Sequence, residues 1–135
     1  MGQCIAVVSG KGGTGKTSFT AGVGAALALS GLRVLCVDCD IGLRNLDIAL
    51  GLSDAALMDF SDVAQQRCTL ERAVVSHPQL AKLSLLTAPI RQRGQPVTGE
   101  QMASLLRAVR IQYDFCLLDA PAGLGDGFLL ATAAA

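Results

Sequence analysis

Apolar residues in this chain fall into short continuous runs separated by longer helical patterns. Gln3-Cys4-Ile5-Ala6-Val7-Val8 is the first run, of strand length and rich in β-branched residues. Leu32 to Val37 is the second, broken only by Arg33 and ending in Asp38, and Leu83 to Thr87 is the third. Phe115 to Leu118, ending in Asp119, is the fourth. Runs without polar alternation suit strands covered on both faces, as in a parallel sheet. Between the first two, Lys16 to Ser30 is rich in Ala, Leu, Val and Phe with no proline, and Gly31 stands where a helix C-terminal glycine is expected. Small residues on this helix (Ala21, Gly22, Gly24, Ala25, Ala28) let it lie close against a sheet. Between the last two, Thr98 and Gln101 form a capping-box pattern, and Met102, Leu105, Leu106 and Val109 share one helical face. Arg107 and Arg110 fall on or near the opposite, solvated side.

Gly42 to Pro78 is less regular. Asp59 or Ser61 can cap a short helix through Val63, and Thr69 another through Val75. Ala88 to Val97, with two prolines, a glycine, Arg91 and Arg93, reads as an exposed loop. His77 precedes Pro78, which favours an extended or turn conformation and a surface-loop role. Alternating strands and helices predict a right-handed crossover α/β fold with ligands at the carboxyl ends of the strands.

One such end carries a chemical pattern. After the first strand comes Ser9-Gly10-Lys11-Gly12-Gly13-Thr14-Gly15-Lys16-Thr17-Ser18, which fits the phosphate-binding loop: Gly10, four residues, Gly15, Lys16, Thr17. Glycines at Gly10, Gly12, Gly13 and Gly15 keep side chains away so that backbone N–H groups can turn inward around an anion. The helix that follows adds its unpaired amides and the positive end of its dipole. Lys16 supplies a point charge for the outer phosphates, and the Thr17 hydroxyl is a hard-oxygen ligand suited to magnesium. Lys11 is an additional lysine near the start of the loop.

Asp38 with Asp40 after the second strand, and Asp119 after the fourth, converge on the same edge. Carboxylates beside a triphosphate repel it unless a cation lies between them, and Mg2+ resolves the conflict.

The chain has 135 residues with equal numbers of acidic and basic side chains, 11 of each. One domain with a substantial core is expected, and a broad nucleic-acid surface is not. No apolar stretch reaches bilayer-spanning length and the N-terminus leads directly into a strand, so the chain reads as soluble and cytoplasmic. Four of the five cysteines (Cys4, Cys36, Cys39, Cys116) lie in or beside strands, which argues against a disulfide framework. Cys36 and Cys39 have C-x-x-C spacing, but on a strand they point to opposite faces, and both read as small core residues.

On these residues the chain resembles the deviant Walker A ATPases of the MinD/ParA P-loop family, and within them the septum-site-determining branch. The resemblance runs nearly end to end. It rests on SGKGGTGKTS, on VDCDIGLRNLDIALGL from Val37 to Leu52, and on LLDAPAGLGDGF from Leu117 to Phe128. The string from Asp40 to Asp47 is the most discriminating, since partition ATPases usually have Asp-x-Asp-Pro-Gln-Gly there and flagellar-number ATPases come closest behind. The resemblance implies a P-loop NTPase fold, α/β with a mostly parallel sheet flanked by helices, of which residues 1–135 are the N-terminal portion of a single ATPase domain. It implies that Lys11 crosses into the partner subunit of an ATP-bound homodimer, that Lys16 binds the outer phosphates, and that Ser18 lies near the inner phosphate. Gly10, Lys11, Gly12, Gly13, Thr14, Gly15, Lys16, Thr17 and Ser18 then bind ATP. Asp40 orients the attacking water, Asn45 lies in the segment that senses the last phosphate, and Thr17, Asp38 and Asp119 serve the Mg2+ ion.

Implied partners are a division inhibitor of the MinC kind and an ATPase activator of the MinE kind or another topological factor. Full-length members sit at the inner face of the cell membrane through a C-terminal amphipathic helix. Family members continue past the Asp119 region with further strands and an adenine-contacting segment, so the chain is expected to be a truncated, incomplete domain. The rival functions are a flagellar-number or partition ATPase, or an ATP-dependent amidoligase of the cobyrinate type.

Overall fold

The computed structural model describes residues 2–8, 14–39, 58–87 and 97–120. In chain order these form β1 (Gln3–Val8), α1 (Thr14–Leu29), β2 (Val34–Asp38), α2 (Phe60–Ala64), α3 (Leu70–Ala73), β3 (Val75–Ser76), β4 (Leu83–Leu86), α4 (Gly99–Gln112) and β5 (Phe115–Ala120). Every apolar run picked out above is a strand. Among the described residues the sheet has five strands in the order β1-β5-β2-β4-β3. The first four are mutually parallel, and β3 pairs antiparallel with β4.

Strand alternation divides the core in two. Leu35 and Val37 of β2, with Leu86, Cys116 and Leu118, face α2, α3 and α4 and pack against Phe60, Leu70, Met102, Leu106 and Val109. Val34 and Cys36, with Leu83, Leu85 and Leu117, face α1 and its Ala21 and Ala28. All five residues of β2 are buried, which accounts for its unbroken apolar pattern. Each buried leucine contributes about 1.5–3 kcal/mol relative to exposure.

Helix ends follow their local chemistry. α1 stops at a Schellman turn: Gly31 takes φ +96°, its N–H donates to the Ala28 carbonyl at 3.0 Å, and the Leu32 N–H reaches back to Leu27 at 3.2 Å. The Thr98–Gln101 box is formed, with the Gln101 N–H donating to Thr98 Oγ1 at 3.1 Å and the Thr98 N–H to Gln101 Oε1 at 3.0 Å. At α2 the cap is Asp59, whose carboxylate accepts the N–H groups of Ser61 and Asp62.

Four readings change. α1 begins at Thr14, inside the glycine-rich run, two residues before the expected start at Lys16. Thr69 stands at the N-cap of α3 without a side-chain cap bond, and the helix ends at Ala73 because Val75 and Ser76 are drawn into pairing with Leu85 and Ser84. Arg110 is not simply solvated: its Nε donates to the Gly2 carbonyl at 2.9 Å. Gly22 makes no close approach to the sheet, whereas Gly24 does. His77 is a turn residue, its Nδ1 accepting the N–H groups of Gln79 and Leu80. The expected loop at Ala88–Val97 lies outside the described residues except for Val97.

Candidate functional site

β5 is inserted between β1 and β2, so three parallel strands end side by side at one edge. Val7 is the register partner of Asp119, and Asp119 is in turn the partner of Asp38. The two carboxylate residues therefore sit on adjacent strands, about 4.8 Å apart along the hydrogen-bonding direction. Both are buried, at 1% exposure each. Asp38 alternates with Cys36, and Asp119 with Leu117, which puts both on the α1 face of the sheet. The Cys36 thiol reports this electrostatically: burial first, and the nearby Asp119 charge second, push it up to about 12. Beyond the strand, the Cys39 N–H donates to the Asp119 carbonyl at 3.0 Å, extending the pairing past Asp38.

The same edge receives the start of α1. β1 ends at Val8, and α1 begins at Thr14. The first four N–H groups of a helix, here those of Thr14, Gly15, Lys16 and Thr17, have no partner within it. No acidic residue occupies that first turn to satisfy the dipole, which leaves it suited to an anionic ligand.

Thr14, Gly15, Lys16, Thr17 and Ser18 thus lie at the helix start, and Asp38 and Asp119 at the strand ends. Gly10, Lys11, Gly12, Gly13, Asp40 and Asn45 lie outside the described residues. The donor chemistry of the described part fits a small hard cation: two buried carboxylates aligned in register, with the helix bearing Thr17 packed over the same face. Among the described residues no cluster of three or more His, Cys, Asp or Glu side chains could enclose a metal by itself.

Two buried threonines, Thr20 and Thr87, lie near this edge without a role in the sequence pattern. Thr20, in the second turn of α1, is fully buried, and it is the last polar residue before the apolar stretch from Ala21 to Leu29. Thr87, just after β4, accepts the Phe60 N–H through its carbonyl at 2.8 Å and donates Oγ1 to the Met58 carbonyl at 3.2 Å. It pins the start of α2 to the edge that carries Asp38. Nothing local in the sequence marks that contact, because its partners are distant along the chain.

Residues 5–118 match the CobQ/CobB/MinD/ParA nucleotide binding domain family. The chain belongs to this family. The septum site-determining protein MinD of Synechocystis is 42% identical over 135 residues, covering 100% of this chain and 51% of that protein. Among solved structures, the MinC:MinD cell division protein complex of Aquifex aeolicus superposes with a TM-score of 0.81 at 38% identity, over 98% of this chain and 53% of the other. MinD from Pyrococcus horikoshii, complexed with Mg-ADP, gives a TM-score of 0.78 at 32% identity, over 98% of this chain and 54% of the other. The chain spans about half the length of the curated MinD relatives it matches. The expected mostly parallel P-loop α/β fold of the MinD/ParA family is borne out. Among the described residues no helix is long and apolar enough to cross a membrane.

Proposed function

We propose that this chain is the phosphate-binding portion of an ATP-binding and ATP-hydrolysing dimerisation switch of the MinD type, acting in placement of the division septum. The observation that carries this reading is the pairing of Asp38 with Asp119 at the carboxyl edge, on the face covered by the helix that opens with Thr14-Gly15-Lys16-Thr17. The MinD relatives that align along the whole chain support it.

In this reading the backbone amides of the glycine-rich loop and of the first turn of α1 grip the phosphates. Lys16 neutralises the outer ones, and Ser18 lies by the inner one. Thr17, Asp38 and Asp119 hold Mg2+, which when bound neutralises phosphate charge. Asp40 holds the attacking water in line. Asn45 responds to the last phosphate, so that its loss changes the segment that follows Cys39. Lys11 enters the site of a second subunit and stabilises charge that develops during transfer to water. A cation donated in trans in this way is worth about 10³–10⁵ in rate, so the monomer hydrolyses slowly. Output passes to a MinC-like inhibitor, a MinE-like activator and, in the full-length protein, to the membrane.

Lys11→Ala is the direct test. ATP-dependent dimerisation, followed by sedimentation, should be lost while nucleotide binding by calorimetry is partly retained. Lys16→Ala should weaken nucleotide binding itself. Dimerisation of the Lys11→Ala protein on ATP would refute the trans role. Hydrolysis that rises with anionic vesicles and a MinE-like activator supports the switch, whereas hydrolysis that needs a small carboxylic acid points to an amidoligase.

A further inference from the structure

Cys4 and Cys116 are register partners on the neighbouring parallel strands β1 and β5. Adjacent strands stand about 4.8 Å apart, within the roughly 4.4–6.8 Å Cα separation that a disulfide spans. Register partners in a parallel pair project to the same face, and here both sulfurs lie on the α4 side: Cys116 in the core cluster and Cys4 packed against it. The two thiols hydrogen-bond to each other. Cys116 is buried, at 1% exposure, while Cys4 is only half-buried. Arg110, held at the end of α4 by its bond to the Gly2 carbonyl, brings a positive charge to Cys4.

We propose that Cys4 and Cys116 form a peroxide-responsive dithiol that closes to an intrachain disulfide joining β1 to β5. The Cys4 thiolate attacks one oxygen of hydrogen peroxide or an alkyl hydroperoxide, the O–O bond breaks, and water or an alcohol leaves once protonated, giving a sulfenic acid. The Cys116 sulfur then attacks the Cys4 sulfur, its proton leaves with the hydroxyl as water, and the S–S bond forms. Two thiols are oxidised and one peroxide is reduced. A small dithiol reverses the change.

The surroundings of the other cysteines make the pair selective. The bond from the Cys116 thiol and then the Arg110 charge hold Cys4 below the ordinary thiol range, against the opposing effect of burial. Cys116 is held up by that same bond and by burial, as suits the resolving partner. Cys36 is fully buried in the core on the α1 side, closed to a reagent from solvent. Cys68 is also raised, by burial and then by Asp62. Reactivity follows thiolate character, so peroxide should find Cys4 before Cys36 or Cys68.

Tryptic mapping of the folded wild-type protein tests this without any variant. Cys4 falls in the peptide that ends at Lys11, Cys116 in the peptide that begins at Ile111, Cys36 with Cys39 in Val34–Arg44, and Cys68 in Cys68–Arg72. After peroxide and under non-reducing conditions, the peptide ending at Lys11 should appear joined to the peptide beginning at Ile111, with the link lost on adding dithiothreitol. Cys116→Ser should leave Cys4 as a sulfenic acid that dimedone captures. Arg110→Gln, which removes a charge that favours the Cys4 thiolate, should slow its formation. Oxidation of Cys68 or Cys39 ahead of Cys4, or a Cys4 that oxidises further while Cys116 stays free, would overturn the proposal.

Discussion

Gly24 and Gly22 lie two positions apart on α1, and the same substitution should move stability in opposite directions. A Cβ built on Gly22 meets nothing within 4 Å, so Gly22→Ala should add only helix propensity, about 1 kcal/mol. A Cβ on Gly24 would lie 2.8 Å from Cys36 Sγ, 3.3 Å from Leu83 Cδ1 and 3.6 Å from Leu117 Cδ1. Cys36 and Leu83 are fully buried in the middle of the sheet, so neither can move aside without displacing neighbours. Overpacking of this kind costs about 1–3 kcal/mol. Set against the same propensity gain of about 1 kcal/mol, the net for Gly24→Ala is a loss centred near 1 kcal/mol. The two variants should then differ by about 2 kcal/mol, the overpacking cost alone. Urea denaturation measures this through the midpoint, provided the slope m is unchanged. Cys36→Ala removes the nearest atom, so a double-mutant cycle with Gly24→Ala should return a favourable coupling of about 1–2 kcal/mol. If Gly24→Ala stabilised the protein as much as Gly22→Ala, α1 would not approach the sheet at Cys36, and the placement of its N-terminus over Asp38 and Asp119 would lose its support.

Asp59→Ala should cost about 1–2 kcal/mol by thermal or urea melting, because the buried Asp59 carboxylate accepts the Ser61 and Asp62 N–H groups and the Ser61 hydroxyl; a loss no greater than that of an exposed substitution would contradict the cap. Asp114 ties β5 to β2, accepting the Arg33 N–H at 2.8 Å and the Arg33 guanidinium at 3.4 Å. The backbone bond first, and the side chain second, hold its carboxyl below the ordinary 3.8. A depressed folded value means that the stabilisation is present above the unfolded value and is lost as pH falls through the folded one. Stability measured from neutral pH to below about pH 4 should therefore fall less steeply in Asp114→Asn than in wild type, and equal slopes would remove this residue from the acid response.

Much of the architecture was legible because it is local. Continuous apolar runs mark buried parallel strands, Thr98 and Gln101 close a box within one turn, and Gly31 supplies a left-handed turn that other residues resist. The phosphate-loop spacing from Gly10 to Thr17 is a local pattern too, with Gly10 to Gly13 outside the described residues. β3 was not, because Val75 and Ser76 form a strand only through pairing with β4 and have no pattern of their own. Nor was the role of Arg110, whose acceptor at Gly2 lies at the far end of the chain.

Residue order alone supplies a strand, a glycine-rich segment with phosphate-loop spacing and a helix, with aspartates ending two later strands. Only the tertiary structure decided that Asp38 and Asp119 stand next to each other on the α1 face. That depends on β5, the last described strand, inserting between β1 and β2, a pairing across more than half the chain that no local propensity encodes. The same insertion brings Cys116 beside Cys4. Residue type sets what a side chain can do, and non-local strand order sets which other side chain it does it with.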